Sequence, residues 1–140
     1  MADVSKQLLD AAARVREHAH APYSDYKVGA ALLDENGNLH VGCNVENASY
    51  PQGSCAEANA IAAMVSAGGK RIAAIAVVGA TGKVSIAPGA EVAACTPCGG
   101  CRQSILEFSD DDTRIVLVDK NGAATEHDIE ALLPASFRLL

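Results

Sequence analysis

Residues 72–79 read IAAIAVVG, an unbroken apolar run of strand length. A strand that is apolar at every position, rather than at alternate ones, has both faces buried, so a sheet built around it needs a covering layer on each side. The rest of the chain must supply those layers. Residues 4–18 place Val4, Leu8, Ala12 and Val15 on one helical face, with Asp3 as the expected N-cap. Residues 54–68 form a second helix, with Ile61, Met64 and Val65 as its buried stripe and Gly68-Gly69 as its stop. A third helix is expected to follow Thr96-Pro97, because Thr caps well and Pro is preorganised for the first helical position.

The remaining strands are read from their turns. Residues 28–33 and 39–44 flank Glu35-Asn36-Gly37-Asn38, a hairpin signal because Asn-Gly tolerates positive φ. Residues 114–118 form another strand, Asn121-Gly122 a turn, and residues 128–133 a short closing helix; residues 80–96 read as a long loop. The order α-β-β-α-β-α-β predicts a mixed sheet between helices, a three-layer α/β fold.

Composition narrows the function classes. With 49% hydrophobic and 20% charged residues over 140 positions, the chain has the apolar content of one globular domain spanning 1–140. Three Tyr, two Phe and no Trp leave the core to Ala, Val, Ile and Leu. Eleven basic against seventeen acidic residues give a net charge of −6, with the acids dispersed. No basic stripe suits a nucleic acid, and nothing favours an anionic membrane. No apolar stretch approaches the roughly 20 residues that span a bilayer. Charges throughout residues 1–20 argue against a secretory signal, so a cytoplasmic location is expected. There, five cysteines read as metal ligands or free thiols rather than disulfides.

Two fragments carry chemistry: Cys55-Ala56-Glu57, and Pro97-Cys98-Gly99-Gly100-Cys101. The CxxC spacing sets two sulfurs about one helical turn apart, and Cys55 completes a three-sulfur set if the two helix starts face each other. Three protein ligands leave a fourth position open for water, as in a catalytic zinc site. Helix N-termini favour thiolate over thiol. Glu57 is placed to move protons beside the metal without binding it.

Blander readings exist for the same residues. Ser54 and Glu57 fit a capping box. A lone CxxC serves redox or structural roles equally well, and Cys95 to Cys101 partly matches an iron–sulfur run that lacks its fourth cysteine. Cys43 and Cys95 are expected to be structural thiols. The four histidines are scattered, and Gly82-Lys83 fails as a phosphate loop because Val77 and Val84 occupy its other key positions. The joint pattern of CAE followed by PCxxC is the Cys₃ form of the zinc-deaminase signature, and it decides for catalysis.

With these residues in view, the chain resembles the small, homotetrameric, Cys₃-zinc cytidine deaminases over nearly its whole length. The resemblance runs through Ala21-Pro22-Tyr23-Ser24, Val28-Gly29-Ala30-Ala31 and Asn44-Val45-Glu46-Asn47-Ala48-Ser49-Tyr50-Pro51. It continues through Cys55-Ala56-Glu57, Pro97-Cys98-Gly99-Gly100-Cys101-Arg102-Gln103 and Leu133-Pro134-Ala135-Ser136-Phe137. It implies a three-layer α/β/α sandwich around a central mixed five-stranded sheet. It implies one Zn²⁺ per subunit on Cys55, Cys98 and Cys101, with Glu57 as proton shuttle. Asn44 and Glu46 would bond the ribose, the backbone of Ala56 would help read the base, and Phe137 would stack in a neighbouring subunit's pocket. The implied reaction takes cytidine and 2'-deoxycytidine to uridine and 2'-deoxyuridine plus ammonia, in pyrimidine salvage: zinc-bound hydroxide attacks C4, and Glu57 protonates N3 and then the departing amine.

Two positions depart from the family pattern. Ala58 follows Cys-Ala-Glu where an Arg is common, so Arg102 and the helix dipoles are expected to offset the thiolate charge, with Asn59 as a further hydrogen-bond donor. Tyr26 stands where a Phe usually lies near the base. The competing readings are a zinc deaminase of another aminated base or nucleoside analogue (blasticidin-S-type), and a structural zinc or iron–sulfur module with Cys95 or Cys43 as fourth ligand.

Overall fold

The apolar run lies at the centre of the sheet. The structure, a computed structural model, describes residues 2–82 and 95–140. In chain order the elements are α1 (Ala2–Arg16), β1 (Tyr26–Asp34), β2 (Leu39–Cys43), a 3₁₀ turn (Tyr50–Gln52) and α2 (Ala56–Ser66). They continue with β3 (Ile72–Thr81), α3 (Gly99–Glu107), β4 (Arg114–Val118), β5 (Ala124–His127) and α4 (Ile129–Leu132). The sheet order is β2-β1-β3-β4-β5; β3 runs antiparallel to β1 and parallel to β4. The sheet is mixed and five-stranded, as the family resemblance implies.

Alternation along the strands divides the core in two. Ala31, Ala74, Ala76, Val78, Ala80, Val116 and Val118 face Leu8, Ala11 and Ala12 of α1. Ala30, Leu32, Ile75, Val77, Ile115 and Leu117 face the other way, onto Ala60, Ile61 and Met64 of α2 and Ile105 and Leu106 of α3. Small side chains under α1 let that helix sit close, and the larger set fills the broader layer built from α2, α3 and α4. On that side the backbones also approach closely: a Cβ at Gly42 of β2 would stand 2.4 Å from the Ala60 amide nitrogen of α2. That contact holds the N-terminal half of α2 against the sheet.

Several expected boundaries move. α1 starts at Ala2, so Asp3 lies within its first turn rather than capping it, and it ends at Arg16. α2 and α3 start at Ala56 and Gly99, later than residues 54 and 97 suggest, with Cys55 and Cys98 as their N-caps. Val65 is about half exposed, so the apolar stripe of α2 is carried by Ile61 and Met64 together with Ala56 and Ala60. β5 is the strand that periodicity does not show: ATEH is an edge strand, mostly polar and nowhere fully buried. The loop expected over 80–96 lies mostly outside the described residues; within them, β3 extends through Thr81. Among the described residues, no helix is long and apolar enough to cross a membrane.

Candidate active site

Two helix starts on one face of the sheet converge, and the cysteines meet there. Cys55 and Cys98 each occupy an N-cap in extended conformation, and neither side chain caps its helix. Their sulfurs are therefore available to each other and to Cys101, one turn into α3. The three Sγ atoms lie within 4.8 Å of one another. A tetrahedral ion with Zn–S bonds near 2.3 Å needs sulfurs roughly 3.8 Å apart, a spacing compatible with that bound. Neither Cys43 nor Cys95 belongs to this group, so a closed four-cysteine site is not formed among the described residues.

The electrostatics of the thiols differ one by one. Cys98 is held below its ordinary value, first by the backbone N–H of Cys101 at the open end of α3. Cys55 and Cys101 are pushed up, in both cases chiefly by burial. The helix N-terminus thus wins only at the best-solvated sulfur, and desolvation outweighs it at the other two. Two thiols that resist ionisation on their own suit a site whose charge is set by a bound soft cation, and the residues present fit zinc.

Glu57 belongs to this site rather than to a cap. It is 4% exposed, and its carboxyl is raised mainly by burial, with the Cys101 thiol hydrogen-bonded to it. The alternative reading as a capping box fails because α2 starts two residues after Ser54, whose hydroxyl instead accepts from Asn59 Nδ2 at 3.0 Å. Asn59 Nδ2 also donates to the Cys43 carbonyl at 2.7 Å, so this amide supports the loop before α2 and gives no bond to the sulfurs. A buried carboxyl poised toward neutrality can both accept and release a proton.

A cavity of about 780 Å³ opens over the cluster, within the range of small-molecule sites. Tyr26, Asn44, Glu46, Cys55, Ala56, Glu57, Cys98 and Cys101 all contribute to its wall. Asn44 is fixed by β1: its Oδ1 accepts from the Val28 N–H at 2.8 Å, and its Nδ2 donates to the Tyr26 carbonyl at 2.9 Å. Glu46 accepts from the backbone N–H groups of Tyr23 and Ser24 at 3.0 and 3.2 Å and from the Ser24 hydroxyl. Those bonds, the hydroxyl foremost, keep its carboxyl below the usual range and therefore ionised. Phe137 is 68% exposed and does not line the cavity of its own chain; its carbonyl accepts from Gln103 Nε2 at 3.0 Å.

Other residues acquire in the structure a place that their sequence reading did not give them. Cys95 is buried as expected of a structural thiol, yet it forms part of the cavity wall. Tyr23 and Tyr50 meet edge to face at the rim, with ring centres 6.2 Å apart. Arg16 is fully buried at the end of α1 and donates to the carbonyls of Lys27, Ala80 and Thr81, joining the ends of β1 and β3. A helical arginine reads as solvent-facing from sequence, and only the approach of two strand ends makes this one internal.

Arg102 acts on the loop that carries Cys98. Its Nε donates to the Pro97 carbonyl at 2.8 Å, and its Nη1 donates to the Leu132 carbonyl at 2.7 Å. It thereby braces the residue preceding Cys98 against α4. Each hydrogen bond from a charged donor contributes about 1.5–3 kcal/mol. Arg102→Ala is therefore expected to shorten the lifetime of bound zinc against a competing chelator by about tenfold or more. An unchanged lifetime would show that the loop holds its shape without this brace.

The comparisons with known proteins agree with this geometry. A family profile described as the cytidine and deoxycytidylate deaminase zinc-binding region matches residues 3–118. The chain is 40% identical over 136 residues to the cytidine deaminase of Sporosarcina psychrophila, covering 96% of this chain and 91% of that one. The crystal structure of cytidine deaminase from Burkholderia pseudomallei superimposes with a TM-score of 0.80 at 40% identity, over 94% of this chain and 98% of that one. That of Mycobacterium tuberculosis gives 0.77 at 36% identity, over 96% and 97%.

Proposed function

The chain belongs to the cytidine and deoxycytidylate deaminase family, and from that premise we propose how its residues divide the work of one reaction. The reaction is hydrolytic deamination of cytidine, which releases ammonia. Cys55, Cys98 and Cys101 hold one zinc ion per chain. What zinc supplies when bound is activation of water as a nucleophile at neutral pH. The rest falls to the chain's own side chains.

Glu57 takes one proton of the attacking water and delivers it to N3 of the pyrimidine, then takes the remaining water proton from the hydroxyl now on C4 and passes it to the departing amine. A carboxyl raised by burial is matched to both directions of transfer. Glu46, held ionised, accepts from a sugar hydroxyl, and Asn44 places its amide beside it. The backbone of Ala56, itself fully buried at the start of α2, faces the base. Arg102 steadies the Cys98 loop. Both cytidine and 2'-deoxycytidine are substrates.

The finer organisation follows the same reading. Residues 1–140 act as one deaminase domain in a cytoplasmic homotetramer, serving pyrimidine salvage. Phe137, exposed in the single chain, stacks in a neighbouring subunit's cavity, so that active sites are shared. Neither a nucleic acid nor a membrane takes part.

The observation that carries the proposal is a set of three thiols within 4.8 Å of one another beside a buried carboxyl. The test is ammonia release from cytidine by purified protein, with a chelator-treated sample alongside. Release that vanishes with zinc and returns on its addition is expected. Turnover that survives complete removal of metal would overturn the assignment of the cysteines.

A further inference from the structure

One pair in the cavity wall has no part in the roles above. β1 runs antiparallel to β3, setting Tyr26 opposite Thr81 and Val28 opposite Gly79. Gly79 lacks a Cβ, and the space one would fill is taken: a Cβ there would lie 2.8 Å from both the Tyr26 hydroxyl oxygen and Cys95 Sγ. The Tyr26 hydroxyl and the Cys95 sulfur thus face one another over that bare Cα, a donor beside an acceptor. Cys95 is anchored on its other side by a backbone bridge to Val118, the last residue of β4. Both residues line the cavity that holds Glu57 and Cys98.

We propose that Tyr26 and Cys95, seated on the bare face of Gly79, form a positioning couple in which Cys95 pins the Tyr26 ring as a fixed wall for the bound nucleoside. This rests on the reading of the cavity as a pyrimidine nucleoside site. Tyr26 is 36% exposed at the very start of a strand, where an unpinned ring can change rotamer. Fixing it before substrate arrives removes an ordering cost from binding. A phenylalanine at the same position has no atom by which it could be pinned. Burial, and after it the bond to Cys95, push the Tyr26 phenol up to about 12, so the hydroxyl remains a donor at any ordinary pH. Cys95 is a positioning residue: it acts through Tyr26, and its sulfur stands outside the metal-binding group.

The experiment is steady-state kinetics on the zinc-loaded protein for Cys95→Ala, Cys95→Ser, Tyr26→Phe and the double variant Tyr26→Phe/Cys95→Ala. Losing one buried hydrogen bond predicts a rise in KM for cytidine of about 3- to 10-fold in Cys95→Ala, with kcat within about twofold and zinc content unchanged. Cys95→Ser retains an acceptor and is expected to bring KM back near the wild-type value. The double variant should bind no worse than Cys95→Ala, because the two residues share one interaction. If Cys95→Ala does not fold, Tyr26→Phe must show the rise by itself. An unchanged KM, a serine variant as poor as the alanine one, or effects that multiply in the double variant each overturn the couple while leaving the deaminase reading intact. A wild-type protein that releases no ammonia from any pyrimidine nucleoside overturns that reading and the couple with it.

Discussion

Glu57→Gln is expected to fold, keep its zinc and lose at least about 10²-fold in kcat for cytidine. The amide has the shape of the carboxyl but can neither take the proton of water nor return one to the base. The substitution carries no capping penalty, because Ser54 is not the N-cap of α2 and its hydroxyl is engaged with Asn59. Nor does it remove a metal ligand, since the sulfur group is complete without Glu57. Burial of an uncharged amide is also less costly than burial of a carboxylate, so stability should hold or rise slightly. The measurement pairs kcat with zinc content and a melting temperature. Near-wild-type turnover in a folded, zinc-loaded variant would falsify the shuttle assignment.

Cys101→Ser is expected to abolish zinc binding and with it more than about 10³-fold of the rate, since metal activation supplies several kcal/mol and every 1.36 kcal/mol is tenfold. Of the three proposed ligands, Cys101 is the buried one: it is 4% exposed, and its sulfur lies beside Glu57 and within 4.8 Å of the other two. A serine hydroxyl does not ionise at neutral pH, so the site drops to two thiolates. Metal content per chain should fall from an expected one to near zero, and added zinc should raise the melting temperature of wild type but not of the variant. Cys95→Ser, by contrast, should retain a full complement of metal. If Cys101→Ser held zinc as tightly as wild type while Cys95→Ser lost it, the ligand set would have to be redrawn around Cys95.

The candidate ligand set was legible because its spacing is local. CxxC at a helix start and Cys-x-Glu at another fix which side chains share a turn whatever the rest of the chain does. The layers were legible for a similar reason: a strand apolar on both faces forces cover from both sides. β5 was not legible, because an exposed edge strand such as ATEH has no buried face to write an alternating pattern. The helix starts were each placed early because Ser54 and Thr96 are good capping residues. In the folded chain the two cysteines take those positions, leaving the sulfurs free to converge.

By itself, the sequence determined the α/β architecture, the three candidate sulfurs and the carboxyl beside them. These follow from hydrophobic period and from residues within one helical turn, which depend on local backbone geometry. Only the tertiary structure decided that Arg102 braces the Cys98 loop, that Arg16 is internal, and that Tyr26 meets Cys95 above Gly79. Each of those depends on strand register and on the approach of segments far apart in the chain, where a hydrogen bond forms only after the sheet has set which atoms come within reach. Local periodicity carries no information about that distance.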